Sequence, residues 1–293
     1  MGKNSRCFGQ DLMRGEGVMS RKANAMVSGG GGGGWAEFNE KRAERQGQES
    51  TGTSIFDPVL CELIYRWFCP APGLILDPFA GGSVRGIVGA KLGRQYVGVD
   101  LRPEQIEANR EQAQGICSDP FPVWQMGDSR NIGAICQGVE ADLLFSCPPY
   151  ADLEVYSDDP ADISTLKYPE FMDVYRHIIK ESVALLKDNR FACFVVGEVR
   201  GKDGNYYGFV PDTVRAFQDA GLNFYNEAIL VTACGSLPIR VGKQFGNYRK
   251  FGKTHQNVLV FLKGDAKKAV EAIGPVEFGE IADEFTEPQA PHA

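Results

Sequence analysis

The chain has 293 residues, 43% of them hydrophobic, and a formal net charge of −7. That apolar content supports a sizeable core in one large domain or two small ones, and the acidic balance argues against a general nucleic-acid coat without excluding a local basic cleft. No apolar run reaches the length of a membrane span, the N-terminus lacks a signal peptide's hydrophobic segment, and eight scattered cysteines without a Cys-x-x-Cys pair beside three dispersed histidines predict a reduced, cytoplasmic protein with no disulfide frame and no metal.

In chain order, residues 1–53 include a run of six consecutive glycines, Gly29 to Gly34, which no packed element contains. They read as a flexible linker, a mobile loop or an engineered replacement of a disordered piece. The organised domain spans 54–264. Asp57 caps a helix from Pro58 to Phe68, with Leu60, Leu63, Ile64 and Trp67 on one face. Leu74–Leu76 is a strand ending at Asp77, and Phe79-Ala80-Gly81-Gly82 forces a tight turn. Ser83–Leu92 is helical with Val84, Ile87, Val88 and Leu92 on its apolar side. Tyr96–Val99 is the second strand, closed by Asp100. This strand–glycine turn–helix–strand unit, with an acid about 20 residues on, is how a parallel α/β sheet holds a nucleoside.

A helix follows from Pro103 to Gln114, with Glu107 and Asn109 expected outward. Strand Pro122–Met126 leads to Gly127-Asp128-Ser129, where Asp128 either faces a ligand or caps the next turn. Asp142–Ser146 is a buried strand running into Cys147-Pro148-Pro149-Tyr150. The polar loop 151–168 leaves directly from it, and the helix Pro169–Leu186 comes next. Phe191–Val196 is a strand ending at Gly197-Glu198, Val210–Ala220 is a helix, and Phe224–Thr232 and Asn257–Leu262 are the last two strands. The alternation predicts an α/β fold: a mostly parallel seven-stranded sheet with helices on both faces. Residues 265–293 read as an acidic tail, an amphipathic segment and then a loose end.

From Ala228 to Gly264 there is no acid, while Arg240, Lys243, Arg249, Lys250 and Lys253 lie among Phe245, Tyr248, Phe251 and His255. Basic residues interleaved with aromatics suit phosphate contact with base stacking, so loop 232–256 is a candidate DNA-binding element.

Two motifs together, Asp77-Pro78-Phe79-Ala80-Gly81-Gly82 and Cys147-Pro148-Pro149-Tyr150, resemble those of the S-adenosylmethionine-dependent DNA methyltransferases that modify exocyclic amino groups. The resemblance covers about residues 54 to 262. It implies a Rossmann-like class I methyltransferase fold whose last strand returns antiparallel, S-adenosyl-L-methionine as cofactor and double-stranded DNA as partner, with no metal; monomer and homodimer both stay open. It places Phe56 and Asp57 at the methionine end of the cofactor. Asp77, Pro78, Phe79, Ala80, Gly81 and Gly82 form the cofactor loop, Asp100 and Leu101 meet the ribose, and Asp128 and Ser129 the adenine. Ser146, Cys147, Pro148, Pro149 and Tyr150 would handle the target base, with Tyr150 stacked on it after it leaves the duplex.

The sequence departs from that family twice. The roughly thirty residues after Leu262 are too few and too acidic for a separate target-recognition region, leaving that task to loops 151–168 and 232–256 or to the N-terminal segment. Cys147 stands where the family has Asp, Asn or Ser. It leaves cytosine N4 and adenine N6 both open, and with Glu198 it permits a cytosine-C5 chemistry in which a thiolate attacks the ring. RNA bases and protein amides are the other substrate classes compatible with the diproline motif.

Overall fold

A computed structural model describes residues 56–150, 157, 159–232 and 237–276. The expectations for residues 1–53, the first part of loop 151–168 and the end of the acidic tail fall outside that range.

The apolar runs form seven strands: β1 (Leu74–Asp77), β2 (Gln95–Asp100), β3 (Val123–Met126), β4 (Ala141–Ser146), β5 (Leu186–Val196), β6 (Asn223–Val231) and β7 (His255–Lys263). They make one sheet in the order β3-β2-β1-β4-β5-β7-β6. Strands β1 to β5 pair in parallel, and β7 runs antiparallel to both β5 and β6. The helices are α1 (Pro58–Phe68), α2 (Val84–Lys91), α3 (Pro103–Gln114), α4 (Ile132–Ile135), α5 (Tyr168–Ala184), α6 (Phe209–Asp219), α7 (Leu237–Tyr248) and α8 (Ala266–Ile273). This is the Rossmann-like class I methyltransferase fold that the resemblance implied.

Strands β1 and β4 read as continuous apolar runs because helices cover the sheet on both faces. Adjacent residues point to opposite layers. Ile75, Leu143, Phe145 and Cys193 pack with Cys61, Ile64 and Tyr65 of α1. Leu76, Leu144, Phe194 and Phe261 pack with Phe171 and Tyr175 of α5 and Phe209 and Phe217 around α6.

Three sequence expectations change. Helix α1 buries Cys61, Ile64 and Tyr65, not the stripe through Leu63 and Trp67, which stay exposed. The reason is Tyr65: its hydroxyl reaches the Arg85 carbonyl (3.0 Å) and its ring meets Phe145 edge-on, which sets the helix's rotation. Helix α2 buries Arg85, Gly86, Gly89 and Ala90, while Val84, Ile87, Val88 and Leu92 pack only partly. A β-carbon on Gly86 would lie 2.6 Å from the Trp124 ring, so the helix backbone sits closer to the sheet than a larger residue would allow. Asn109 points inward, 1% exposed.

The region read as a basic loop contains helix α7. The amphipathic segment expected after Gly264 forms α8, capped by Asp265 (to the Lys268 N–H, 3.0 Å) with Ala269 buried. Among the described residues, no helix is long and apolar enough to cross a membrane.

Candidate active site

A pocket opens at the carboxyl ends of β1, β2 and β4, where the strand order reverses and open α/β sheets bind their ligands. It begins beneath the glycine loop. Asp77 is fully buried and all its acceptor capacity is directed inward. Oδ1 takes the Ser146 hydroxyl (2.5 Å) and the Phe79 N–H (3.1 Å); Oδ2 takes the Tyr96 hydroxyl (2.8 Å) and Arg85 Nε (2.6 Å). Asp77 and Ser146 therefore tie β1 to β4 under the pocket floor, and neither lines it.

Above that floor, Gly81 adopts a positive φ of 50°, a conformation that favours glycine. Its N–H donates to Asp100 Oδ2 (2.8 Å) and its carbonyl accepts from Asn109 Nδ2 (2.7 Å). Asp100 Oδ1 accepts the Arg102 N–H (3.0 Å). Burial pushes the Asp100 carboxyl above its ordinary pKa. Each of its oxygens takes one backbone N–H, so each keeps a second lone pair for a ligand hydroxyl.

Asp128 caps the short 3-10 turn Ser129–Asn131 through the Arg130 N–H (2.9 Å) and pairs with Arg130 Nε (2.6 Å). That is the capping reading of the sequence, and Asp128 also lines the pocket. Ser129 lies beside it, its hydroxyl on the Pro78 carbonyl (2.5 Å).

The pocket brings together Phe56, Pro78, Phe79, Gly81, Gly82, Asp100, Leu101, Asp128 and Ser129 with Cys147 and Pro149 from the second motif. Asp57, Ala80 and Pro148 are not part of its wall. Asp57 instead caps α1 through the Val59 and Leu60 N–H groups (2.9 and 3.3 Å). Tyr150 is turned into the core, 4% exposed, with Gln256 Nε2 donating to its hydroxyl (2.5 Å) and Phe209 against its ring. In this arrangement the ring anchors the diproline turn and presents no face on which a base could stack.

Several residues that line the pocket were not named from the sequence. Arg85 reaches the pocket wall from α2, where periodicity marked only apolar residues. Gln105 also lines it, donating to Asn109 Oδ1 (2.9 Å). Ile178 of α5 forms part of the side, and Ala161-Asp162-Ile163 closes it from the segment expected to face the substrate. Arg130 Nη2 reaches the Ala161 carbonyl (3.3 Å), and Asp162 is buried as the cap of the next 3-10 turn. An aspartate before Ile-Ser-Thr is a capping signal that could have shown this segment to be folded.

Glu198 stands apart from the pocket: its Oε1 accepts the Val210 N–H (3.1 Å) at the start of α6, and its Oε2 is buried without a hydrogen-bond partner among the described residues. Glu198 does not line the pocket that Cys147 borders. Burial lowers the pKa of the Lys253 ammonium, with Glu198 acting in the opposite direction. In α7 and the turn after it, Tyr248 and Phe251 are strongly exposed and Lys243 lies on the open surface. Arg249 bonds back to the Phe245 and Gly246 carbonyls (3.1 and 3.2 Å), and Lys250 sits over the Tyr248 ring at 5.3 Å. Only the backbone of Arg240 is described. Among the described residues, no group of three His, Cys, Asp or Glu side chains is placed to hold a metal.

No family model matches the chain, and no curated protein matches it in sequence. Solved structures are similar in fold. TrmN from Thermus thermophilus is 15% identical, with a TM-score of 0.47, over 71% of this chain and 49% of that one, so this chain spans about half of it. A TehB-like SAM-dependent methyltransferase from Corynebacterium glutamicum is 18% identical, with a TM-score of 0.44, over 78% and 99%. Magnesium protoporphyrin IX methyltransferase (ChlM) from Synechocystis PCC 6803 with bound SAH is 11% identical, with a TM-score of 0.46, over 70% and 80%. These likenesses concern the fold alone.

Proposed function

We propose that this chain transfers a methyl group from S-adenosyl-L-methionine to the exocyclic amino group of a DNA base, cytosine N4 or adenine N6. The observation that carries the reading is the continuity of one pocket from Asp128 past Asp100 and the glycine loop to Cys147 and Pro149. A nucleoside held along the first part brings its other end to the diproline.

The residues present fit that cofactor. Asp100 accepts from ribose hydroxyls, Asp128 and Ser129 border the adenine, and Phe56 with the glycine loop encloses the amino-acid end. When bound, the cofactor supplies an electrophilic methyl on sulfur. The protein's work is to orient the acceptor, since an exocyclic amine's lone pair is delocalised into its ring. Backbone carbonyls held rigid by Pro148 and Pro149 accept the amine hydrogens and free the lone pair; positioning of this kind supplies most of the acceleration. Tyr150 fixes that turn from below through Gln256 and Phe209.

DNA is favoured over a protein amide by the acid-free stretch from Ala228 to Gly264 and by the exposed aromatics Tyr248 and Phe251 beside Lys243, Arg249 and Lys250. The deciding experiment offers labelled S-adenosyl-L-methionine with duplex DNA, tRNA or a protein extract, followed by nucleoside digestion and mass spectrometry. N4-methylcytosine or N6-methyladenine from DNA is expected. Label in tRNA or protein alone would replace the DNA assignment.

A further inference from the structure

We propose that Arg85 is the receptor for the carboxylate at the amino-acid end of the cofactor. The assignment rests on the S-adenosyl-L-methionine reading above and adds a specific contact to it. Arg85 is 5% exposed, yet it borders the pocket. Its Nε pairs with Asp77 (2.6 Å), and its Nη2 donates to the carbonyls of Phe79 (2.6 Å) and Ala80 (2.8 Å). The guanidinium lies over the Phe56 ring, 4.8 Å from its centroid. No hydrogen bond among the described residues uses Nη1.

A guanidinium presents five N–H donors in a rigid fork. Here one arm is committed to Asp77 and the loop, which fixes the plane, and the other arm remains at the pocket wall between Phe56 and the glycine loop. A charged donor held there without rotational freedom is suited to a carboxylate and loses little entropy on binding one. The first turn of α2 strengthens the same corner. Ser83, its N-cap residue, gives its hydroxyl to Gln112 and makes no capping bond, so the partial positive charge of the helix start is not offset by a side-chain oxygen. A ligand amino-acid group that reaches Arg85 also lies against the Phe79 and Ala80 carbonyls, which can accept from its ammonium.

A merely structural Arg85 would hold the loop for every ligand alike; a receptor discriminates by the carboxylate. Calorimetry therefore compares S-adenosyl-L-methionine, S-adenosyl-L-homocysteine and decarboxylated S-adenosylmethionine on the full chain. Removing Arg85 alone strands the buried Asp77 carboxylate, so the variants are Arg85→Lys and the double variant Asp77→Asn with Arg85→Met. The wild type is expected to bind the two carboxylate-bearing ligands at least about tenfold more tightly than the decarboxylated one. In the double variant that ratio should collapse towards one, mainly through weaker binding of the carboxylate-bearing pair. Equal binding of all three ligands by the wild type, or a ratio that survives in both variants, overturns the assignment of Arg85 and leaves the cofactor reading standing. Failure of the wild type to bind any of them overturns the cofactor reading itself.

Discussion

Asn109 donates its side-chain amide to the Gly81 carbonyl across 2.7 Å, so a residue of α3 grips the loop that closes β1. The grip is itself held: Gln105 Nε2 donates to Asn109 Oδ1 (2.9 Å) and Arg102 Nη2 to Gln105 Oε1 (2.8 Å). With the Gly81 N–H on Asp100, both backbone polar groups of this glycine are fixed before any ligand arrives. Asn109→Ala leaves the carbonyl without its partner, at a cost of about 1–3 kcal/mol. Cofactor affinity is expected to fall about tenfold, since 1.4 kcal/mol is one decade. Calorimetry giving an unchanged affinity would make the α3 chain a stability feature only.

Asp100 couples the loop to the ligand directly. Asp100→Ala removes the acceptor for the ribose hydroxyls and releases the Gly81 and Arg102 N–H groups, and should weaken cofactor binding by at least about tenfold. Asp100→Asn keeps one acceptor oxygen, so its loss should be smaller. Equal losses in the two variants would mean that the negative charge, and not hydrogen-bond geometry, sets the affinity. No loss in either would remove Asp100 from the site.

The two motifs and the succession of strands and helices were readable because they depend on local patterns: apolar runs, glycines in a turn, prolines after a strand. The buttressing was not. Asn109 was expected to face outward and Arg85 lies off the apolar stripe read for its helix, and only tertiary contacts with Gly81 and Asp77 bring them inward. Helix α7 was masked by Gly242 and Gly246, which lower helix propensity; a β-carbon on Gly252 would lie 2.6 Å from Val241, so tertiary packing compensates. Tyr150 carries the family's aromatic, and its burial against Phe209 follows from the neighbouring core, which a motif does not encode.

Asp142 gives the fold a pH dependence. Burial alone would raise its pKa, but the Leu74 N–H, Lys187 and Arg190, each at 3.0 Å, outweigh that and hold it lowered. A lowered folded-state value contributes stability that is fully present above the unfolded value, about pH 4, and is lost as pH falls through the folded value. Asp142→Asn should therefore melt below the wild type at neutral pH, with the gap closing below about pH 4. A gap of constant size through the acid range would show that the ionised carboxylate contributes nothing.

The basic surface is testable through salt. Lys243 and Lys250 do not hold the backbone of α7, whereas Arg249 bonds its last carbonyls. Lys243→Ala and Lys250→Ala should each make the salt dependence of DNA binding shallower by about one ion equivalent, with cofactor affinity unchanged. Arg249→Ala should also reduce the helicity of α7. An unaltered slope in both lysine variants would return this face to ordinary solvated charge.

Cys147 decides which chemistry the diproline performs. Its sulfur lies 3.9 Å from the Tyr150 hydroxyl, and the residue reaches the pocket beside Pro149. If the exocyclic amine is the nucleophile, the thiol only shapes the wall, and Cys147→Ser should keep substantial activity. If the thiolate adds to the cytosine ring, serine is too weak a nucleophile at neutral pH and activity should vanish. The ring reaction also needs an acid at the ring's N3, and Glu198, the residue nearest to that role in sequence, spends Oε1 on the Val210 N–H and does not line the pocket. A fluorinated cytosine at the target position separates the two readings independently of any variant, because it traps a ring adduct covalently. The expected result is an amino-methylated base, an active Cys147→Ser variant and no trapped protein. Detection of 5-methylcytosine with an inactive serine variant would make Cys147 the nucleophile, and would require Glu198 to leave the start of α6 and swing into the pocket.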